Sequence, residues 1–182
     1  MLVYIIIAII ILIVIYILSL YNSFINLNNK VSEAFSTMDV YLKKRWNLIP
    51  NIVEIVKGFS KYEKDTLEEI IKLRNDIYDK MSDEKKITTN EQISDQIIKI
   101  MSLVEAYPDI KANENFQDLS DKLTKIEDEI ANSRKYYNGV VRIYNNKVEM
   151  FPNNILARLF GYKSKMMFEV SNDERKNVKV EL

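Results

Sequence analysis

The chain has 182 residues, its 26 Lys and Arg residues are balanced by 26 Asp and Glu residues, and it contains no histidine and no cysteine. A balanced charge provides no overall basic field to hold nucleic acid. The missing residue types exclude histidine-based catalytic triads, thiol nucleophiles, disulfides and zinc sites of the usual ligand set. With three glycines and three prolines, the chain has little material for hairpin turns, so composition favours an all-α fold.

The first element is an unbroken apolar run over residues 1–20, MLVYIIIAIIILIVIYILSL, and the first charged side chain is Lys30. About 20 apolar residues span the hydrocarbon core of a bilayer as a helix. The run lacks the basic start and the small-residue cleavage site of a signal peptide, so we expect an uncleaved single-pass anchor in the cell membrane. Basic residues follow the run and none precedes it, which predicts a cytoplasmic domain with the N-terminus outside.

The residues beyond position 21 predict helices, because apolar side chains recur at steps of three and four. The pattern of the first helix comprises Phe24, Leu27, Val31, Ala34, Phe35, Met38 and Leu42. We expect Pro50 to end this helix, since proline is tolerated only in a first turn. The basic run Lys43-Lys44-Arg45 then lies in the exposed last turn, where cations suit the helix dipole, or it binds acidic lipid or a partner.

Two further helices are predicted before Pro108. The pattern of the second comprises Ile52, Ile55, Phe59, Tyr62, Ile70, Leu73, Ile77 and Met81. The polar stretch SDEKKITTNE, which begins at Ser82, is predicted to be a loop. Thr89 and Gln92 have the spacing of a capping box, which predicts the start of a third helix that ends at Tyr107. The third pattern comprises Ile93, Ile97, Ile100 and Val104.

The fourth predicted helix is the longest, is capped by Asn113 and ends before Pro152. Its seam comprises Phe116, Leu119, Leu123, Ile126, Ile130, Ser133, Tyr137, Val140, Tyr144, Val148 and Phe151. A heptad seam sustained over five repeats is typical of near-parallel packing in helical bundles and coiled coils.

A repeated pair of aromatic and amide residues lies on this fourth helix, as Tyr137-Asn138 and Tyr144-Asn145. Such pairs can grip a ligand, but the seam spacing alone accounts for both tyrosines. We therefore interpret the tyrosines as core residues, and we expect their hydroxyls to find partners on facing helices.

An up-and-down bundle returns the chain to the bilayer after its fourth helix. Residues 153–168 combine apolar side chains with cations there, so they either lie in the headgroup layer or cap the end of the bundle. The sequence thus predicts a transmembrane anchor at residues 1–20, an antiparallel up-and-down bundle of four long helices at 21–152, a short amphipathic helix or membrane-proximal cap at 153–170 and a charged flexible tail at 171–182.

Carboxylates are the main chemical groups left for a site, as in Glu127-Asp128-Glu129 and in Asp118 with Asp121. Such charges usually form a solvated helix face, and an oxygen-only Mg²⁺ or Ca²⁺ site is the alternative. Di-iron bundles need Glu-x-x-His motifs, and the chain has no histidine. We therefore predict no catalytic, cofactor-binding or metal-ligating residues and no cofactor.

Two stretches of the chain carry a family resemblance. The segment from Val31, VSEAFSTMDVYLKKRWNLIPNIVEIVKGFSKYEKDTLEEI, and the segment from Glu105, EAYPDIKANENFQDLSDKLTKIEDEIANSRKYYNGVVRIYNNKVEMFP, resemble the LemA family. The stretch SDEKKITTNEQISDQII between them does not match that pattern. The resemblance implies a bacterial protein with an N-terminal membrane helix and an antiparallel helical bundle, and it implies no catalytic residues.

Three functional hypotheses follow. The first is a membrane-tethered interaction or scaffold module that binds a protein partner and no nucleic acid. The second is an enzyme, for example Mg²⁺-dependent, in which at least two carboxylates and a buried arginine such as Arg45 or Arg134 converge on one pocket. The third is a self-assembling, membrane-remodelling scaffold, which would be a homo-oligomer. The lack of a catalytic constellation favours the first.

Overall fold

The computed structural model describes residues 1–59, 68, 71–72 and 78–168, and no strand occurs among them. Its elements are α1 (Leu2–Phe59), a 3₁₀ turn (Tyr78–Lys80), α2 (Asp83–Glu105), α3 (Pro108–Lys111), α4 (Glu114–Glu149) and α5 (Asn153–Leu159). Residues 68 and 71–72 are also helical. The predicted all-α class is confirmed.

Helix α1 continues through Pro50 to Phe59, so the expected break at Pro50 was wrong. Proline removes one backbone hydrogen bond from a helix interior and disturbs the preceding turn. The buried side chains of Trp46, Ile49 and Val53 surround this position, and their burial offsets that cost. The start of the predicted second helix therefore belongs to α1. Four of its remaining pattern residues, Tyr62, Ile70, Leu73 and Ile77, lie outside the described residues. The last one, Met81, lies between the 3₁₀ turn and α2 and is not helical.

Helix α2 begins at Asp83, so most of the predicted polar loop is helical. Ser82 is the N-cap, and its hydroxyl accepts a hydrogen bond from the Lys85 amide at 3.2 Å. Asp83 and Glu84 in the first turn suit the positive end of the helix dipole. Thr89, expected as the cap, is instead buried inside the helix.

Helix α4 follows the predicted boundaries closely. Asn113 accepts a hydrogen bond from the Phe116 amide at 3.0 Å, as a cap should, and the helix ends at Glu149. Its buried seam comprises Phe116, Leu123, Ile130, Ser133, Tyr137, Val141, Tyr144 and Val148. Phe151, which we assigned to this seam, is 78% exposed because the helix has ended before it.

The chain divides into two compact units, and α1 and α4 contribute residues to each. The first unit groups Met1–Thr37 with Ser133–Met167, and the second groups Met38–Asn132 with Phe168–Leu182. The core of the first unit includes Phe24, Val31, Phe35, Tyr137, Val141, Tyr144 and Ala157. The core of the second includes Met38, Leu42, Trp46, Ile49, Ile87, Ile93, Ile100, Phe116 and Leu123.

Among the described residues, α1 is the one helix long and apolar enough to cross a membrane. Nearly every side chain from Leu2 to Ser19 is exposed, although most of them are large and apolar. The apolar run and the first buried residues, Leu20 and Phe24, belong to one uninterrupted helix.

Candidate functional site

A fully buried arginine forms a polar cluster inside the second unit. Arg45 is 0% exposed, and its Nη1 donates to both carboxylate oxygens of Glu127 at 2.9 and 3.0 Å and to Ser94 Oγ at 2.8 Å. Its Nη2 donates to the carbonyl oxygen of Asn90 at 2.7 Å and to its Oδ1 at 3.0 Å. This arginine therefore joins α1, α2 and α4.

The arrangement around Arg45 suits a structural clamp better than a catalytic centre. A buried guanidinium needs a carboxylate and several acceptors to offset its lost hydration, and this one has them. The enzyme hypothesis requires two carboxylates at one pocket, whereas Glu127 is the one carboxylate that Arg45 binds among the described residues. Arg45 lines neither the open cleft at Phe116 nor the small apolar cavity between Ile49, Ile100 and Leu123. Arg134, the other candidate, belongs to the first unit.

A second polar cluster of this unit holds a neutral tyrosine. Asp39 Oδ1 accepts from the Tyr78 hydroxyl at 2.6 Å, and Asp39 Oδ2 accepts from Lys86 Nζ at 2.7 Å. The Tyr78 ring lies 5.0 Å from Lys86 Nζ and 5.2 Å from the Trp46 ring, measured to ring centroids. Burial, followed by the hydrogen bond to Asp39, raises the pKa of Tyr78. The phenol is thus a fixed donor at neutral pH rather than a base.

In the first unit, the two predicted core tyrosines are buried, and their hydroxyls hold the chain's own backbone. Residues 162–168 follow α5 without helix or strand. The Tyr137 hydroxyl donates to the carbonyl oxygen of Met166 at 3.0 Å, and the Tyr144 hydroxyl donates to that of Lys163 at 3.0 Å. The expected partners on facing helices are therefore replaced by this nonhelical segment.

Asn145 binds the same segment at Lys165, which lies between the two residues whose carbonyl oxygens accept from the tyrosines. Its Nδ2 donates to the Lys165 carbonyl oxygen at 2.9 Å, and the Lys165 amide donates to its Oδ1 at 2.8 Å. The Ser164 hydroxyl donates to Glu149 Oε1 at 2.5 Å. Burial, with a smaller contribution from Tyr162, raises the pKa of Tyr144 and keeps this donor protonated. The tyrosine and asparagine side chains thus position a segment of the chain itself.

An open cleft of about 360 Å³ lies in the second unit where α2, α3 and α4 meet. It is lined by Met101, Val104, Glu105, Lys111, Phe116, Gln117, Ser120 and Asp121. Its apolar lining comes from α2 and the first turn of α4, and Glu105 and Asp121 supply two carboxylates. It is large enough for one or two side chains of another molecule, and a basic side chain beside an apolar one would match its lining.

The carboxylates singled out in the sequence do not gather into a metal site. Glu127 binds Arg45, Asp118 pairs with Lys122 at 2.6 Å, and Asp128 is exposed. Over residues 1–59, 68, 71–72 and 78–168, no three acidic side chains lie close enough together to hold a metal ion.

Arg45 is the main residue whose role sequence reasoning missed. We assigned it to an exposed basic run at the end of the first helix, but α1 continues past it and buries it. Its spacing carried the signal, since it lies three residues after Leu42 and four before Ile49 on the buried face. Lys43 of the same run pairs with Asp79 at 2.6 Å on the surface.

Several known proteins are similar to this chain over most of its length. Protein LemA from Metamycoplasma hominis is 25% identical over 161 residues, which cover 86% of this chain and 72% of that protein. Magnetosome protein MamQ 2 from Paramagnetospirillum magneticum is 22% identical over 175 residues, covering 82% of this chain and 64% of that protein. Magnetosome protein MamQ from Magnetospirillum gryphiswaldense is 21% identical over 180 residues, covering 79% and 62%.

The chain thus spans less than two thirds of the length of these MamQ proteins. The model of the LemA family matches residues 34–182, which include Arg45, the cleft and the tyrosine and asparagine side chains described above. That match covers most of the chain. The chain therefore belongs to the LemA family.

Proposed function

We propose that this chain is a single-pass, membrane-anchored interaction module. Residues 1–20 cross the cell membrane, the N-terminus lies outside, and residues 21–152 form an antiparallel four-helix bundle in the cytoplasm. The bundle offers a protein partner the cleft between α2, α3 and α4. No residue acts as a catalyst in this proposal.

The observation that supports the anchor is the exposed apolar surface of the first five turns of α1. Leu2 to Ser19 carry no charge and pack against almost nothing, whereas the same helix buries its apolar face from Leu20 onward. Water disfavours such a surface by about 25 cal/mol per Å², so a medium that covers it on all sides is required. A bilayer is that medium, and the length of the run matches its hydrocarbon core.

The anchor and its orientation can be tested with single cysteines, because the chain has none of its own. Ser36→Cys places a thiol on an exposed position of α1 beyond the anchor, and Leu2→Cys places one at the N-terminus. A membrane-impermeant maleimide should label Leu2→Cys in intact cells and Ser36→Cys only after lysis. The reverse pattern would invert the orientation, and loss of residues 1–20 from the mature mass would refute the anchor.

The cleft supports the interaction part of the proposal. Glu105 and Asp121 are exposed, Phe116 is buried beside them, and Lys111 is the one cation in the lining. Charge complementarity therefore favours a segment that carries a Lys or Arg next to an apolar side chain. A surface loop or an extended tail of a partner protein can supply such a segment.

Site-specific photo-crosslinking in native membranes tests this proposal. A benzophenone side chain at Gln117, which lines the cleft, should give a discrete adduct, and one at the exposed Lys125 on the same helix should not. Adding Glu105→Lys and Asp121→Lys should abolish that adduct. The same products from both positions would overturn the cleft, and an adduct between two copies of this chain would favour the self-assembling scaffold.

A further inference from the structure

Aromatic contacts fix the position of α5 and the turn after it beside the first turn of α1 past residue 20. The Tyr21 ring meets the Phe160 ring edge-on with centroids 5.0 Å apart. The Phe24 ring stacks on the Tyr162 ring with centroids 5.1 Å apart. A helix rises 1.5 Å per residue, so these contacts lie within about 6 Å, along the helix axis, of the end of the apolar run.

The outer face of α5 is apolar and exposed. Ile155 and Leu159, four residues apart and hence on one face, are 61% and 76% exposed, while Ala157 on the opposite side is buried. Met150 and Phe151, just before the helix, are also exposed. We call Met150, Phe151, Ile155 and Leu159 the α5 surface. Four large apolar side chains exposed within residues 150–159 exceed the scattered exposure that an ordinary protein surface shows.

Cations predominate around the α5 surface, and Glu149, directly before it, accepts a hydrogen bond from the Ser164 hydroxyl. Residues 150–168 contain three cations, Arg158, Lys163 and Lys165, and no Asp or Glu. Arg158 and Lys163 are exposed. The apolar surface therefore has a cationic rim, which matches the acyl chains and the anionic headgroups of a lipid leaflet.

We propose that the α5 surface is a second lipid-binding element, which inserts its four apolar side chains into the leaflet next to the anchor while Arg158 and Lys163 contact anionic headgroups. The inference rests on the proposed membrane anchor, because the contacts to Tyr21 and Phe24 place α5 at the bilayer surface only if residues 1–20 cross it. A second protein copy could cover the same surface, but continuity with the anchor and the cationic rim favour lipid.

The test uses the full chain in vesicles that contain anionic lipid, with an environment-sensitive fluorophore on one cysteine at a time. The probe positions are Leu159 on the α5 surface, Ile11 within the anchor and the exposed Ser36 on α1. Nitroxide-labelled lipids quench probes that contact the bilayer. Quenching at Leu159→Cys should exceed that at Ser36→Cys by about threefold or more, and Ile11→Cys should be quenched most. Arg158→Gln with Lys163→Gln should reduce the quenching at Leu159.

The outcomes separate this inference from the proposed anchor. Quenching at Ile11 with none above the Ser36 level at Leu159 would overturn the α5 surface and leave the anchor standing. No quenching at Ile11 would overturn the anchor and the inference with it. A Leu159 probe that is shielded from water yet not quenched by lipid would show a protein cover, which also overturns the inference.

Discussion

Asn145 and Lys165 exchange two hydrogen bonds, in which the side-chain amide of one pairs with the backbone of the other at 2.9 and 2.8 Å. The side-chain amide of this asparagine pairs with Lys165 as the backbone of a neighbouring β-strand would, because it presents a donor and an acceptor in the geometry of a peptide group. The nonhelical segment 162–168 thereby gains the backbone partners that a helix or sheet would otherwise supply.

Replacing Asn145 with Ala should lower the free energy of unfolding by about 1–3 kcal/mol, since both partner groups of Lys165 lose their bonds. The Lys165 amide should also lose its protection against hydrogen exchange. Asn146→Ala, at an exposed position on the same helix, is the control and should change neither quantity. An Asn145→Ala protein with an unchanged Lys165 exchange rate would refute the pairing.

Replacing Tyr137 or Tyr144 with Phe should cost about 1 kcal/mol each, because each ring stays and one hydroxyl bond to a backbone carbonyl is lost. Replacement by Ala should cost about 3–5 kcal/mol, because a whole buried aromatic is removed. Urea unfolding measures both. If Tyr144→Ala left stability unchanged, the assignment of this tyrosine to the core would be wrong.

Replacing Arg45 with Lys should destabilise the protein by about 3 kcal/mol, because an ammonium cannot reproduce the fork that binds Glu127 and Asn90 together. Arg45→Met combined with Glu127→Met should cost less than the sum of the two single changes by about 1 kcal/mol or more, since the double variant leaves neither charge without its partner. Additive costs would show that the pair contributes no coupling. Lys44→Met, at the exposed neighbouring position, is the control.

The raised pKa of Tyr78 predicts a loss of stability in alkaline solution. The folded-state pKa lies above the unfolded-state value of about 10, so the contribution of the neutral phenol is complete below that pH and falls by about 1.4 kcal/mol per unit above it. Tyr78→Phe removes this dependence. The stability difference between the wild type and this variant should therefore shrink as the pH rises above about 10. A difference that stays constant through that range would contradict the prediction.

Gly139 offers a stabilising change. It lies inside α4, and a Cβ built there meets no atom within 4 Å, so close packing does not require a glycine at this position. Gly139→Ala should raise the free energy of unfolding by about 0.5–1 kcal/mol through helix propensity. Gly161, whose φ is 79°, is the contrasting position, and Gly161→Ala should destabilise. Melting temperatures of the two variants should move in opposite directions.

Helical periodicity predicted most of the seam of α4 and the cap at Asn113, because burial on one face and a capping side chain both act over a few residues. The seam departs from the prediction at Val141, which is buried in place of Val140, and at the exposed Phe151. Periodicity failed at Pro50, where tertiary burial of Trp46 and Ile49 outweighs the local cost of proline. It also failed at Ser82, because that serine's own capping bond competes with the capping box read at Thr89. Local sequence does not reveal which of two possible caps the rest of the fold will use.

The polar contacts were harder to predict than the helices. The backbone acceptors of Tyr137 and Tyr144 lie 29 and 19 residues further along the chain, and no sequence period links them. The partners of Arg45 lie 45 to 82 residues away, and no sequence period links them to it either. Their chemistry identified the tyrosine hydroxyls as needing partners, but only the three-dimensional arrangement shows which partners the tyrosines and Arg45 have.

Helix α1 passes from the exposed apolar run to the buried core residues of the first unit without an intervening linker. With residues 1–20 in the bilayer, as proposed, the number of apolar residues in the run sets the height of α5 above the membrane midplane. Each residue of a run centred on that plane adds about 0.75 Å, half the helical rise. A thicker bilayer would then draw the α5 surface deeper into the leaflet, and a thinner one would lift it away. This protein would thus respond to bilayer thickness, because its helix cannot bend freely where it leaves the lipid.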